Sequence, residues 1–396
     1  MLNKILEAPY LFRHPLLTFR ALTKSIFASP IKYSALNINL NSTFQWLCQA
    51  QDATSDDGVS AGFSLMKGWR PSYPETTGYI IPTFLSYSKA YNDSNAKERA
   101  LLMAKWEIEV QLPNGAVTSG HIGRNPSPAV FNTGQVLFGW ISAYLETNDD
   151  QYLLAIQRAA KWLLEIQDDD GAWRKFLSGK TDTKVQTYNI RSAWGLALAG
   201  VMMGKSKWIE AATKNAEWVL KQENEKGWFS HCTFYLEEDS PLLHTISYTL
   251  EGLLGLGLLF KNHRYIESVV KSSMSIIKTM KKYNGLKGRY DSSWRPTVHW
   301  RCLSGEAQFA IVLYRLAIFS SDFKYFTKEA DSILRGLLKY QDIQSPHPES
   351  FGAISGSQPI WGRYDPFFYQ NWAAKFLMDA LLLFVSGIDS QPVIEW

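Results

Sequence analysis

Three stretches decide the architecture: AKWEIEVQLPNGAV at 104–117, AKWLLEIQDDDGAW at 160–173 and AEWVLKQENEKGWF at 216–229. Aligned without a gap, they place Trp106, Trp162 and Trp218 at a constant interval of 56 residues, and Gly115, Gly171 and Gly227 at the same interval. A constant period with matching residues marks a repeated supersecondary unit. Each stretch reads as the end of a helix. Trp162, Leu163 and Ile166 recur at helical spacing, and the glycine after the polar run reads as a C-terminal stop.

A second kind of helix lies between these ends. The pattern predicts six, at 77–93, 132–149, 189–204, 244–260, 301–318 and 369–384, apolar almost all round, as in YTLEGLLGLGLLF at 248–260. Helices of that composition belong in an interior. Six others, at 40–52, 95–111, 151–167, 206–222, 262–281 and 324–341, carry Lys and Glu on one face, as an outer layer does. Six buried and six half-exposed helices make six hairpins. The expected fold class is all-α: an (α/α)6 toroid over residues 38–396, with inner and outer rings, preceded by an N-terminal arm at 1–37.

Loop lengths predict where a cleft opens. Inner-to-outer turns are short (YND at 91–93, TNDD at 147–150, KNHR at 261–264, SSDF at 320–323), whereas outer-to-inner connections run about 18 to 27 residues. Alternation gathers the long loops and all inner-helix N-termini at one end, where the helix dipoles add positive potential.

Composition narrows the function. Fifteen Trp, 19 Tyr and 21 Phe make the chain rich in aromatics, which fits a large core and equally a carbohydrate cleft, because sugar C–H faces stack on rings. Cys48, Cys232 and Cys302 are scattered and odd in number, which fits a reducing compartment, and no metal or other cofactor is expected. No run of 18 apolar residues and no signal-peptide pattern is present, so a cytoplasmic protein is expected. Residues 1–33 hold Lys4, Arg13, Arg20, Lys24 and Lys32 against Glu7, a net of 5 − 1 = +4; the whole chain is also +4, so the remaining 36 basic and 36 acidic residues cancel. Leu16, Phe19, Ile26 and Phe27 are among the apolar residues interleaved with those cations. Such an arm either packs on its own domain or lies peripherally on the anionic inner membrane. A neutral body leaves no footprint for nucleic acid.

The long loops and first inner turns collect the candidate site residues. GWRPSYPETTGY contributes Tyr73, Glu75 and Tyr79; SGHIGRNPSPAVFNTGQ contributes His121, Arg124 and Asn132; TYNIRSAWG contributes Tyr188, Arg191 and Trp194. LLHTISYTLEG contributes His244, Tyr248 and Glu251; GRYDSSWRPTVHWRCLSGEAQ contributes Trp294, Trp300, Arg301 and Glu306; WGRYDPFFYQNW contributes Tyr364, Asp365, Tyr369, Asn371 and Trp372. Offsets of four and three put His244, Tyr248 and Glu251 on one face of an apolar helix, a stripe expected to face the cavity, with Glu251 as an acid whose pKa burial raises. Glu75, Glu306 and Asp365 are the other candidate carboxyls; each also reads as a cap or an ion-pair partner. Glycoside cleavage needs two carboxyls flanking the bond. Epimerisation or elimination at a uronate needs His or Tyr as base and acid, with Arg or Asn to neutralise the carboxylate. The inventory supplies both.

The hairpin pattern resembles the six-hairpin glycosidase-like superfamily. SYPETTGYIIPT (72–83), FNTGQVLFGW (131–140), HTISYTLEGLLG (244–255) and WRCLSGEAQ (300–308) are similar to motifs of VpsJ-type polysaccharide-biosynthesis proteins. That resemblance implies a carbohydrate-active enzyme acting on a bacterial surface polysaccharide or its precursor by hydrolase-type acid/base chemistry. A uronyl C5-epimerase or polysaccharide lyase on the same fold is the alternative. QDDDGAW at 167–173 also resembles the Gln-x3-Gly-x-Trp repeat of triterpene cyclases, although the chain lacks their Asp-x-Asp-Asp acid. A cyclase-like toroid and a non-catalytic glycan-binding toroid complete the readings.

Overall fold

The computed structural model describes residues 14–27, 36–123, 125–178, 185–234 and 240–392. After α1 (Pro15–Ile26) and α2 (Leu36–Asp52) come five helical hairpins in chain order. They are α3–α4 (Pro74–Tyr91, Ser94–Glu109), α5–α6 (Val130–Thr147, Asp150–Glu165), α7–α8 (Ile190–Met202, Ser206–Leu220), α9–α10 (Leu243–Leu259, His263–Lys282) and α11–α12 (Leu303–Phe319, Phe326–Leu338). A last helix, α13 (Asn371–Ser386), follows. The odd-numbered helices from α3 to α13 form the inner ring; each packs on the next, and α13 packs back on α3. The sixth hairpin is α13 with α2, so the two ends of the sequence close the (α/α)6 toroid.

The tight ends of the hairpins follow from their residues. Asn92 (φ 52°) and Asn148 (φ 56°) take the left-handed conformation that stops an inner helix. The adjacent Asp93 and Asp149 then cap the outer helices, accepting from the Ala96 and Gln151 amides. Asn262 caps α10 in the same way.

The repeat glycines do not stop the outer helices, as the sequence reading has it. Those helices end at Glu109, Glu165 and Leu220, and each glycine sits farther on in a turn, its amide donating three residues back to Leu112, Asp168 or Asn224. All three have positive φ (91°, 90° and 80°), and a Cβ there would meet the backbone of the next outer helix at Arg158, Lys214 or Ser272. The glycine is therefore fixed by a left-handed turn and by close approach to the next unit. Glutamine completes the joint. Gln111 Nε2 donates to its own turn at Gly115 O (2.9 Å) and across to Ala155 O (3.1 Å). Gln167 repeats this with Gly171 O and Ala211 O, both at 2.9 Å. Gln341 makes the same link to Gly352 O (3.1 Å) and Asn39 O (3.0 Å), tying α12 to α2.

Short strands lace the long-loop end together. β1 (Gly62–Ser64) lies between β2 (Gly68–Trp69) and β5 (Phe368–Gln370), joining the first long loop to the last. β3 (Arg301–Cys302) pairs with β4 (Ser357–Gln358). Helix α1 rests on that last loop: Leu17 and Ala21 are buried, and the Arg20 guanidinium grips both Asp342 oxygens at 2.7 Å. Among the described residues, no helix is long and apolar enough to cross a membrane.

Candidate active site

A cavity of about 380 Å³ opens at the long-loop end. Five of the six long loops and the first turns of α3, α5, α9 and α13 line it. Its wall is a chain of rings. Tyr73 meets Trp372 edge-on at 6.3 Å, the Trp372 indole donates to the Tyr364 hydroxyl at 2.9 Å, and Tyr364 neighbours Phe234 at 6.3 Å. Tyr188, Phe131 and Tyr248 continue the wall at centroid spacings of 6.2, 5.1 and 4.8 Å, and His244 joins Tyr248 (4.4 Å) to Tyr364 (5.4 Å). Ser119, Gly120 and Ser178 supply polar edges.

Glu75 is the carboxyl inside this collar. Pro74 starts α3, which puts Glu75 in its first turn, where the helix dipole favours a negative charge. The Tyr73 hydroxyl donates to Oε2 at 2.7 Å. Burial outweighs both: its pKa is pushed up to about 7, with the Tyr73 hydrogen bond and the nearby Arg191 charge acting against the rise. Asp365 lines the same cavity from a left-handed turn (φ 48°) and accepts from Gln370 Nε2 at 2.8 Å.

His244 and Tyr248 stand one helical turn apart on α9. Burial lowers the imidazole to about 3, so the ring is neutral near pH 7. The Gln308 amide oxygen faces Nδ1, and in that amide orientation Nδ1 is the donor and Nε2 the acceptor. The Tyr248 and Tyr79 hydroxyls are buried and make no hydrogen bond of good geometry.

Glu251 is not among the cavity-lining residues, contrary to the sequence expectation. It turns to Arg191, whose Nε donates to Oε2 at 2.7 Å. Arg191 Nη1 donates to Gln135, and the guanidinium lies over the rings of Phe138 (4.9 Å) and Tyr248 (5.4 Å). A second buried pair, Lys375–Asp379 at 2.5 Å, sits on α13, with Thr83 donating to Asp379 at 2.7 Å. Arg191 and Lys375 both act on the Glu251 carboxyl and oppose the rise that burial imposes. Together these groups form a charged plug between the inner helices.

Of the other sequence candidates, Tyr73, Tyr188, His244, Tyr248, Asp365, Trp372 and Glu75 line the cavity, and His121 packs edge-on against Tyr73 at 5.1 Å. Glu306 does not. Arg301 clasps it with Nε and Nη2 at 2.8 and 2.5 Å, and both residues line a separate cavity of about 350 Å³ that also includes Lys281 and Glu329. Tyr79 lies in the core against Phe376, and Trp194 lies against Phe138 and Arg315. Asn132 ties Thr118 O to Ser178, and Asn371 ties Ser60 O to Thr76. Trp294 sits in a left-handed turn (φ 60°), its amide donating to Asp291 O and its indole to Lys226 O; Trp300 packs on Gly288; Tyr369 belongs to β5. Arg124 lies outside the described residues. The sequence reading missed Ser119, Gly120, Phe131, Ser178 and Phe234, and left Tyr364 without a role. Among the described residues, no three His, Cys, Asp or Glu side chains are grouped to hold a metal ion.

Solved structures share this architecture. An unsaturated glucuronyl hydrolase specific for heparin superposes with a TM-score of 0.72 at 18% identity, covering 91% of this chain and 100% of that one. The unsaturated glucuronyl hydrolase of Bacillus sp. GL1, responsible for the degradation of glycosaminoglycan, gives 0.72 at 12% identity, with 89% and 97% covered. A novel alpha-amylase from Clostridium perfringens gives 0.63 at 13% identity, with 88% and 97% covered. At these identities the likeness establishes the (α/α)6 toroid fold. The family model of the squalene-hopene cyclase C-terminal domain matches residues 70–251, a span that contains the joints built on Gly115 and Gly171. No curated protein matches the sequence. In the cyclase-like repeat, Asp170 is bound by Arg174, which holds its carboxyl down at about 2, so it is an ionised turn residue.

Proposed function

We propose that this protein is a carbohydrate-processing enzyme that acts at the end of an acidic glycan, with Glu75 as proton donor and Asp365 as the second carboxylate. The observation that carries the reading is Glu75: a buried carboxyl titrating at about 7 inside an aromatic cavity. Such a group holds its proton near neutrality and can release it, as a general acid must. The rings give sugar faces a stacking surface. A cavity of about 380 Å³ is a pocket for a chain end rather than a groove for a running polymer. The similar structures, glucuronyl hydrolases specific for heparin or responsible for glycosaminoglycan degradation, favour a uronate-bearing substrate. A bacterial surface polysaccharide or its precursor is the class suggested by the VpsJ-type motifs.

A second reading has its own support. The neutral His244, with Nε2 free of the proton, stands beside the buried Tyr248 hydroxyl in the same cavity. A base and an acid one turn apart fit proton abstraction beside a uronate carboxyl, as in epimerisation or elimination. Glu251 is left out of both schemes.

The test is an NMR time course with uronate-terminated oligosaccharides in deuterated water. New reducing ends that Glu75→Gln suppresses and His244→Ala does not support the first reading. Deuterium at C5, or new unsaturation, lost in His244→Ala and retained in Glu75→Gln, overturns it for the second. Turnover of a polyprene with none of any oligosaccharide removes both.

A further inference from the structure

The body of the chain is neutral only in sum. Residues 261–341, which span α10, the long loop after it, α11 and α12, hold 15 basic and 6 acidic residues, 15 − 6 = +9; the whole chain is +4, so everything outside that stretch sums to 4 − 9 = −5. Helices α10 and α12 lie side by side on the outer wall and run in the same direction, joined by Lys281 to Glu329 at 2.7 Å and by the Tyr325 hydroxyl to Met274 Sδ at 3.5 Å. Lys278, Lys324 and Lys328 are exposed on this wall and pair with no acid among the described residues. Between the two helices lies the cavity of about 350 Å³ that contains Arg301 and Glu306. Through Ser332 it continues into a shallow depression along α12 lined by Lys324, Lys328, Asp331 and Arg335, so the two form one groove. Its far end, at Asn284, Gly285 and Arg301, belongs to the long-loop end of the ring, where the active cavity also opens. Glu306 and the Tyr340 ring, 5.2 Å away, fix the Arg301 guanidinium, which stays 23% exposed. Gly336 stands inside α12, where glycine weakens a helix; a Cβ there would sit 3.6 Å from Arg301 Nη2, and a longer side chain would cover the guanidinium. The groove thus keeps one cation open at its floor and others along its rim.

We infer that this groove binds the running part of an acidic polysaccharide, at a site separate from the active cavity. The choice of a polymer of the substrate's own class rests on the reading proposed above. The lining favours a glycan over other polyanions. Its lysines and Arg301 suit carboxylates, while Glu329, Asp331, Ser332 and Asn284 suit hydroxyls. A DNA backbone offers no donor to those two acids, and among the described residues neither part of the groove is lined by a ring on which a base could stack. A bilayer surface would meet the lysines and leave the groove empty. A chain leaving the groove at Arg301 emerges at the end of the ring where the cavity takes a chain end.

The test is binding of fluorescein-labelled polygalacturonate to the full chain, read by anisotropy, with labelled dextran as the neutral reference. Wild type is expected to bind polygalacturonate, less tightly as salt is raised, and to ignore dextran. The triple variant Lys278→Gln, Lys324→Gln, Lys328→Gln should lose about tenfold in affinity, with Tm and turnover of short uronate-terminated oligosaccharides unchanged. The same charge removed elsewhere on the outer ring, by Lys105→Gln, Lys207→Gln, Lys214→Gln on α4 and α8, should leave the affinity in place. Gly336→Leu adds bulk over Arg301 without changing charge and should weaken binding several-fold. No binding by wild type, equal losses in the two lysine triples, or full affinity in Gly336→Leu would overturn the inference. So would tighter binding of a single-stranded DNA oligonucleotide, or of phosphatidylglycerol vesicles, that the first triple abolishes. If the groove variants lose polygalacturonate while wild type turns over no oligosaccharide, the groove stands and the reaction proposed above falls; turnover with full affinity in the first triple gives the reverse.

Discussion

Two buried carboxyls of the inner ring, Glu75 at the mouth and Glu251 in the plug, share burial and differ in partner. Glu75 accepts a hydroxyl hydrogen bond from Tyr73; Glu251 accepts a guanidinium hydrogen bond from Arg191. A hydroxyl stabilises a carboxylate weakly, so burial keeps Glu75 within reach of its proton near pH 7. A guanidinium holds its charge at any ordinary pH, and removing the carboxylate beside it would strand a buried cation. Equal burial thus yields one group that can exchange a proton and one that holds helices α7 and α9 together. Reactivity here follows from the partner, not from depth.

The plug is the place to begin. Glu251→Gln leaves Arg191 without its counter-charge in the ring interior, and breaking a buried pair costs about 3–5 kcal/mol. Denaturant unfolding should show that loss, while the folded fraction keeps near-normal specific activity. The double variant Glu251→Leu, Arg191→Met should recover much of it, since an apolar pair of similar volume replaces both charges. A Glu251→Gln protein with wild-type stability and no activity would reverse the comparison and put Glu251 in the chemistry.

Glu75→Gln is the counterpart. Removing a general acid costs about a hundredfold to ten-thousandfold in rate. Tm should stay close to wild type, because an amide keeps the Tyr73 contact. Lost stability with retained turnover would make Glu75 structural.

Glu107 extends the contrast, because it has no hydrogen-bond or ion-pair partner among the described residues. It occupies the repeat position held by Leu163 and Val219, and all three are fully buried. Neither carboxyl oxygen makes a hydrogen bond, and burial, with Asp56 nearby, raises its pKa well above 4.5. A folded-state pKa above the unfolded one gives stability that is present below about 4.5 and lost as pH rises toward the folded value. Glu107→Leu should therefore stabilise the protein by about 1–3 kcal/mol at neutral pH and by less at pH near 5, read from denaturant midpoints. An equal gain at both pH values, or a loss, would show that the carboxyl has a partner in solution.

The ring was legible because its period is written in large residues. Trp106, Trp162 and Trp218 are each buried near the end of an outer helix, and apolar inner helices can only be interior. The role of the glycine was not legible, since the close approach that excludes a Cβ involves a helix 40 or more residues away in sequence. The cavity lining was legible where the first inner turn meets a long loop, at Tyr73, Glu75, His244 and Trp372. It failed one turn deeper. Spacing gives the face of a helix, and Glu251 does lie on the face of His244 and Tyr248. Spacing does not say how far down the ring is open, and Glu251 is paired with Arg191 of the neighbouring helix instead of lining the cavity. Trp294 misled for a related reason: its indole is taken up by Lys226 O, 68 residues away in sequence, which no local spacing reveals.

A milder change falls on the hydroxyl that distinguishes the mouth from the plug. If Glu75 donates a proton, activity should fall as pH rises through about 7, because only the protonated carboxyl can act. The Tyr73 hydroxyl stabilises the ionised form and holds that midpoint down. Tyr73→Phe removes it, leaving burial less opposed, so the alkaline limb should move to higher pH. At acid pH the rate should drop only several-fold, on the order of 1 kcal/mol for one hydrogen bond lost at a pre-organised site. The ring remains, so stacking against Trp372 and His121 is kept. A rate-versus-pH series on wild type and Tyr73→Phe separates the possibilities. An alkaline limb that stays in place while the rate collapses would make Tyr73 the proton donor. A limb that moves upward with modest loss assigns the proton to Glu75 and the tuning to Tyr73, the role that Arg191 plays far more strongly for Glu251.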